Sequence, residues 1–225
     1  CYNAEKDVFQ VVSKEGEDHT IYFKGPYTMS MTAYAPYTGE RGTLAGVIQA
    51  STTSEKQVDT ARATIDFLYA EGGGSQTNPR VEFQFFHKMS QLVLAFKAGG
   101  GLELDDISYT LKNIILDGSF DTSAGSVASG KTTGNINMSL AKGKEMNSSV
   151  IVFPQKLAST LLLELAMGGK TYAQPIGNGI DLISGNTYIF DVTIAPQSMT
   201  VSPAKIEDWI WGENSDHYVI AGESE

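Results

Sequence analysis

Val81-Glu-Phe-Gln-Phe-Phe-His-Lys-Met-Ser-Gln-Leu-Val-Leu-Ala-Phe96 is the stretch that decides the class of this chain. In its first part Val81, Phe83 and Phe85 alternate with Glu82, Gln84 and Phe86, the period-two pattern of a strand with one buried face. Past Lys88-Met89-Ser90, the run Leu92-Val-Leu-Ala-Phe96 repeats the strand pattern in a more apolar form. The core is therefore expected to contain Val81, Phe83 and Phe85, and with them Tyr188, Phe190 and Val192 from a second alternating run.

The same reading predicts short strands over 8–12, 20–23, 27–34, 44–50, 65–69, 80–86, 92–98, 107–116, 135–140, 149–153, 160–165, 187–195 and 198–201. Between them stand turn signals: Lys24-Gly-Pro26, Thr38-Gly39, Asp117-Gly118, Ser129-Gly130, Gly168-Gly169, Gly177-Asn-Gly179, Ser184-Gly-Asn186 and the triplets 72–74 and 99–101. Strands at this spacing predict an all-β chain of antiparallel sandwiches rather than alternating βα units. Two segments have local helix character: 54–63, behind Ser54, and 202–209, where Pro203 follows Ser202 as at the start of a helical turn. The second glycine triplet is the expected dividing line, giving an N-terminal sandwich over 1–101 and a C-terminal sandwich with an extended tail over 102–225.

A chain of 225 residues buries enough surface, roughly 70–75% of what it exposes unfolded, to need no staple. Its single cysteine, Cys1, cannot form an internal disulfide. A net charge of −10, with scattered Lys and Arg, argues against nucleic acid and against attraction to anionic lipid. The longest apolar runs, Val150-Ile-Val-Phe153 and Leu161-Leu-Leu163, fall far short of the roughly 20 residues of a spanning helix.

Chemistry-bearing patterns are scarce. His19, His87 and His217 stand far apart with no zinc spacing, and His87 reads as a hydrogen-bonded structural residue. There is no nucleophile elbow, phosphate loop or dinucleotide fingerprint, and Asp105-Asp106 and Asp117-Gly-Ser-Phe-Asp121 read as solvated acids at strand ends. No catalytic, cofactor or metal residue is expected. Tyr22, Phe23, Tyr27, Tyr34 and Tyr37 cluster early, and Trp209 and Trp211 lie near the end, so a sugar-stacking platform stands beside core filling as a reading of these rings.

Several segments, taken in order, resemble the fimbrillin-like proteins of Bacteroidales, the major and minor subunits and tip components of surface fimbriae. They are Thr20-Ile-Tyr-Phe23, Met31-Thr-Ala-Tyr-Ala-Pro-Tyr37, Asp66-Phe-Leu-Tyr-Ala70, Phe83-Gln-Phe-Phe-His-Lys-Met-Ser-Gln-Leu92, Asp117-Gly-Ser-Phe-Asp121, Val152-Phe-Pro-Gln155, Gly185-Asn-Thr-Tyr-Ile-Phe-Asp-Val-Thr193 and Ile206-Glu-Asp-Trp209. The resemblance implies two tandem sandwiches of transthyretin-like, Greek-key type. It also implies export as a lipoprotein to the outer membrane and cell surface, and polymerisation with other fimbrial subunits by strand exchange. Partners would be like or unlike subunits, with host or bacterial surface ligands for an adhesive member; membrane contact would run only through a lipid anchor. Cys1 is then the candidate lipid-attachment residue, and His217, Tyr218, Val219 and Ile220 in the acid-flanked tail are the candidate assembly segment. Family precursors carry a longer stretch before the Ile-Tyr-Phe segment. Two readings stand: Cys1 is the lipidated residue of a short member, or a leading strand is missing and one sandwich offers an open groove. A glycan-binding surface lipoprotein using an exposed aromatic platform is the rival function.

Overall fold

The computed structural model describes residues 2–3, 8–9, 23, 25–38, 46–142 and 146–210. Strands β1 (Tyr2–Asn3) and β2 (Val8–Phe9) pair with each other. Next come β3 (Met29–Ala35), β4 (Val47–Ser51), a 3₁₀ turn at Ser54–Lys56, and the single-turn helix α1 (Asp59–Arg62). Strands β5 (Leu68–Gly74), β6 (Phe86–His87), β7 (Ser90–Ala98), β8 (Ile107–Ile115) and β9 (Asp117–Asp121) follow. Then come β10 (Ser126–Ser129), β11 (Thr133–Leu140), β12 (Met146–Val152) and β13 (Leu162–Met167). The described chain closes with β14 (Lys170–Pro175), β15 (Asn186–Ala195), β16 (Ser198–Val201) and β17 (Lys205–Asp208). The chain is all-β, as its period-two patterning predicts.

The strands make two sandwiches, each around its own core. In the larger, sheet β11-β8-β13-β14 faces sheet β12-β7-β15, whose far edge is shared by β16 and β17. Leu92, Leu94, Phe96, Val150, Phe190 and Val192 from one sheet meet Tyr109, Leu111, Ile136, Leu163 and Leu165 from the other. The Tyr109 hydroxyl bonds the Ser148 Oγ at 2.7 Å within this core, and burial holds its pKa well above the usual tyrosine range. In the smaller sandwich, sheets β10-β9-β4 and β3-β5-β6 enclose Ile65, Phe67, Tyr69, Met89, Phe120, Ile151 and Phe153. Phe67 and Phe120 stack at its centre, 4.8 Å between ring centroids.

Each sandwich draws strands from both sides of Gly101, the dividing line expected between 1–101 and 102–225. Strand β7, on the N-terminal side, lies between β12 and β15, while β9, on the C-terminal side, pairs with β4. The crossing happens at Leu116, where β8 of the larger sandwich runs on as β9 of the smaller. The Leu116 N–H donates to the Thr132 carbonyl at 2.9 Å, so the returning β10–β11 chain crosses beside it. One pairing also departs from the antiparallel expectation: β7 and β15 run parallel, in register from Thr187↔Gln91 to Ile194↔Ala98. Parallel strands are typically covered on both faces. Accordingly every residue of β7 from Ser90 to Phe96 is buried, which explains why Leu92–Phe96 reads as a continuous apolar run instead of a clean alternation.

The opening stretch divides where its character changes. Residues 80–85 form no strand; only Phe86 and His87 pair, with Tyr69 and Leu68. Val81, Phe83 and Phe85 keep the alternation but are half-buried, whereas Tyr188, Phe190 and Val192 are fully buried as expected. The cause is the first glycine triplet, which belongs to β5 and is no turn. A Cβ on Gly72 would stand 2.7 Å from Val81 Cγ1 and 2.9 Å from the Glu82 carbonyl oxygen. The bare backbone at Gly72–Gly74 thus lets 81–83 pack across the strand, and side-chain packing replaces the ladder. Gly118 corrects a turn expectation in the same way: it sits in β9, where a Cβ would meet the Phe153 ring at 2.6 Å.

Of the two segments with helix character, the first supplies the 3₁₀ turn and α1. The second is extended, because 205–208 find a better partner in the first half of β15, pairing Tyr188 with Ile206. Replacing Phe190 by Ala should cost about 3–5 kcal/mol in denaturant unfolding, as for a fully buried ring, and Phe83→Ala distinctly less. Equal losses would mean that 80–85 is part of a true core.

Candidate functional site

In an all-β chain the groups able to act include sheet edges, exposed apolar surface and aromatic rings. Among the described residues, no group of three or more His, Cys, Asp or Glu side chains could hold a metal ion. No helix there is long and apolar enough to cross a membrane. Cys1 and the tail residues His217, Tyr218, Val219 and Ile220 lie outside the described residues, as do His19 and His217, Tyr22 and Trp211.

Two strands have their open backbone closed by glutamine side chains, β12 at a sheet edge and β8 where it runs past the end of β13. An amide has one acceptor and a two-proton donor, so a buried Gln can bond an edge residue as a neighbouring peptide would. Gln57, fully buried, accepts from the Ile151 N–H at 2.8 Å and donates to the Ile151 carbonyl at 2.8 Å, on the side of β12 away from β7. Gln155 treats Ile115 alike, accepting from its N–H at 2.9 Å and donating to its carbonyl at 3.0 Å. Arg62 continues the cover over β12: Nη1 donates to Ser149 Oγ at 3.0 Å and Nη2 to the Ser149 carbonyl at 3.1 Å. Gln155 closes the Val152-Phe-Pro-Gln155 motif, whereas Gln57 is unmarked, since a polar residue between strands looks like any loop residue. The helix-like character of 54–63 was its one available signal.

A second cluster joins the end of β17 to the smaller sandwich. His87, buried, places Nδ1 2.7 Å from Asp66 Oδ1, and its ring lies flat against Trp209, 3.9 Å between centroids with the planes 4° apart. The Trp209 N–H donates to the Gly185 carbonyl at 2.7 Å. The Gly185 N–H in turn donates to the Met89 carbonyl at 2.8 Å. Asp66, His87 and Trp209 come from three separate segments, and together they fasten the last described strand to both cores. His87 is thus the hydrogen-bonded structural histidine expected of it. Beyond the cluster, Ile210 is 74% exposed.

The early aromatics divide. Tyr34 packs on Phe120 at 6.2 Å and belongs to the smaller core, whereas Tyr27 is 81% exposed and Tyr37 48%. The Tyr34 and Tyr37 rings are tilted by 37° at 6.2 Å and form no flat shelf. The acid pairs are structural. Asp121 Oδ1 accepts from the Ser123 hydroxyl and N–H and from the Ala124 N–H, bonds that hold its carboxyl below the usual range, and Asp117 Oδ1 accepts from the Thr132 N–H.

Comparison with known proteins decides the family. A sequence profile described as fimbrillin-like matches residues 4–209. The chain belongs to the fimbrillin-like family. It is 26% identical over 209 residues to a Bacteroides uniformis protein named "Putative fimbrium subunit Fim1C", a match covering 87% of this chain and 67% of that one. The crystal structure of a "putative cell adhesion protein" from Bacteroides ovatus superposes with a TM-score of 0.82 at 34% identity, covering 92% of this chain and 77% of that one. A second structure so described, from Bacteroides uniformis, gives a TM-score of 0.70 at 25% identity, over 88% of this chain and 78% of that one. In this fimbrillin-like chain the Trp209 junction holds the last described strand against the body. Trp209→Ala should lower unfolding stability by about 1–3 kcal/mol, through loss of a half-buried ring and its stacking. Urea melts of the two proteins check this; an unchanged midpoint would mean that the stacking fastens nothing.

Proposed function

We propose that this chain is a non-enzymatic structural or adhesive subunit of a bacterial cell-surface fimbria, exported as a lipoprotein and assembled by strand exchange. The observation that carries this reading is the fimbrillin-like match over 4–209, on a chain whose chemistry is that of sheet edges. In it, Cys1 carries the lipid anchor at the outer membrane. The segment His217-Tyr-Val-Ile220 leaves the body beyond Trp209 and lies along the strand edge of another subunit, like or unlike. Strand addition suits a segment of this kind. Main-chain hydrogen bonds supply affinity, and alternate side chains such as Tyr218 and Ile220 supply register.

Deleting residues 215–225 tests the reading. The expected outcome is loss of polymer, seen by sedimentation and electron microscopy, with an unchanged melting temperature. A monomer destabilised by several kcal/mol would instead make the tail a strand of its own sandwich and remove it as the exchanged element. The exposure of Tyr27 and Tyr37 favours a second reading, a glycan-binding surface lipoprotein. It requires glycan binding that Tyr27→Ala and Tyr37→Ala abolish while assembly persists.

A further inference from the structure

Among the described residues the larger sandwich has four edge positions, and they are protected in different ways. Strand β14 begins with Lys170 and ends at Pro175, and packs beside β16. Strand β16 is four residues long with Pro196 and Pro203 close on either side, while β17 carries Lys205, Glu207 and Asp208. Charges, prolines and shortness are the usual means of blunting an edge. Strands β11 (Thr-Gly-Asn-Ile-Asn-Met-Ser-Leu) and β12 (Met-Asn-Ser-Ser-Val-Ile-Val) have neither a charge nor a proline. They are also the two edges that residues 52–62 reach. The Ser54 Oγ accepts from the Asn137 N–H of β11 at 2.9 Å, and Gln57 and Arg62 hold Ile151 and Ser149 of β12. Thr52 ties the start of the segment to the Leu116 carbonyl through its N–H at 2.8 Å. Arg62 also braces the Gln57 carbonyl, with Nη2 at 2.7 Å and Nε at 3.2 Å, so the two side chains act as one clamp.

We propose that residues 52–62 are an edge guard, a strap across the open side of the larger sandwich. It keeps β12 from pairing with a second copy of this chain, and β12 is the self-association surface that removing its side chains opens. The occupant follows from the edge itself. Strand β12 is uncharged over its whole length, so two copies related by a two-fold axis meet antiparallel without like charges opposed, each supplying the donors and acceptors that Gln57 and Arg62 now satisfy. The strap segment and the tail of the proposed fimbrial assembly are separate parts of the chain, so this inference stands independently of that function.

The test compares the full chain with Gln57→Ala/Arg62→Ala by sedimentation velocity over a wide concentration range. The expected result is a dimer that the unaltered chain does not form at the same concentrations. Adding Ser149→Pro should return the double variant to the unaltered chain's distribution. The Ser149 N–H lies on the strap side with its carbonyl, so proline there blocks outward pairing and removes no bond to β7. A double variant that melts cooperatively yet does not associate overturns the proposal, as does association that survives Ser149→Pro. If the double variant does not melt cooperatively, Arg62→Ala alone, which leaves the buried amide in place, is read by the same two criteria.

Discussion

The parallel pairing of β7 with β15 is the constraint on which the rest of the structure depends. It places Ser90–Phe96 in the middle of a sheet with both faces covered, so the strand contributes to the larger core through Leu92, Leu94 and Phe96 while Met89, just before it, enters the smaller core. A parallel pair cannot be joined by a tight turn and needs a long crossover. Here the crossover is everything between Ala98 and Asn186, and that excursion carries the β9–β10 hairpin into the other sandwich. Once β7 and β15 are fixed side by side, the interleaving of the two sandwiches follows from connectivity.

What the sequence revealed was which residues face inward, and what it concealed was which strands are neighbours. Residues 187–195 and 198–201 were legible as strands because their apolar positions recur every second residue within well-marked turns, and the structure places strands at Asn186–Ala195 and Ser198–Val201. Residues 81–85 carry the same signal and form no ladder, since periodicity reports a buried face and cannot tell a hydrogen-bonded strand from an extended segment lying over glycines. Gly72–Gly74 and Gly118 misled for a related reason. Glycine marks turns, but it equally marks strand positions where another chain or ring comes close. The extended conformation of 205–208 was hidden because a Ser-Pro start favours a helical turn only while no edge competes for the backbone, and the first half of β15 supplies one.

Polar residues were the least legible part of the candidate site. Gln57 and Gln155 each answer one backbone peptide in both directions, and Asp66 orients His87 beneath Trp209; all but Gln57 stand in segments that carry the family resemblance, yet nothing local in those segments shows the contacts. A buried amide is tolerated only where both ends are bonded, because each unmet group costs about 1–3 kcal/mol. That condition is set by strands far away in sequence: Gln57 meets Ile151 and Gln155 meets Ile115. Local reading sees a polar residue in a loop, and the fold turns it into a substitute for a missing strand.

These side-chain caps bear on how a fimbrillin-like chain keeps its exposed sheet edges from pairing. An edge that recruits strands is useful only where the partner is meant to dock, and every other edge of similar character has to be shut. Charges and prolines shut an edge permanently, and β14, β16 and β17 are of that kind. A side-chain clamp such as Gln57–Arg62 leaves the strand beneath it intact, with its backbone still in pairing geometry and its sequence free of charge. Such an edge is closed by occupancy alone, so the competition between an internal strap and an external strand sets its state. The strap is tethered and holds the edge at high effective concentration, so a separate chain must displace several bonds together before it gains any.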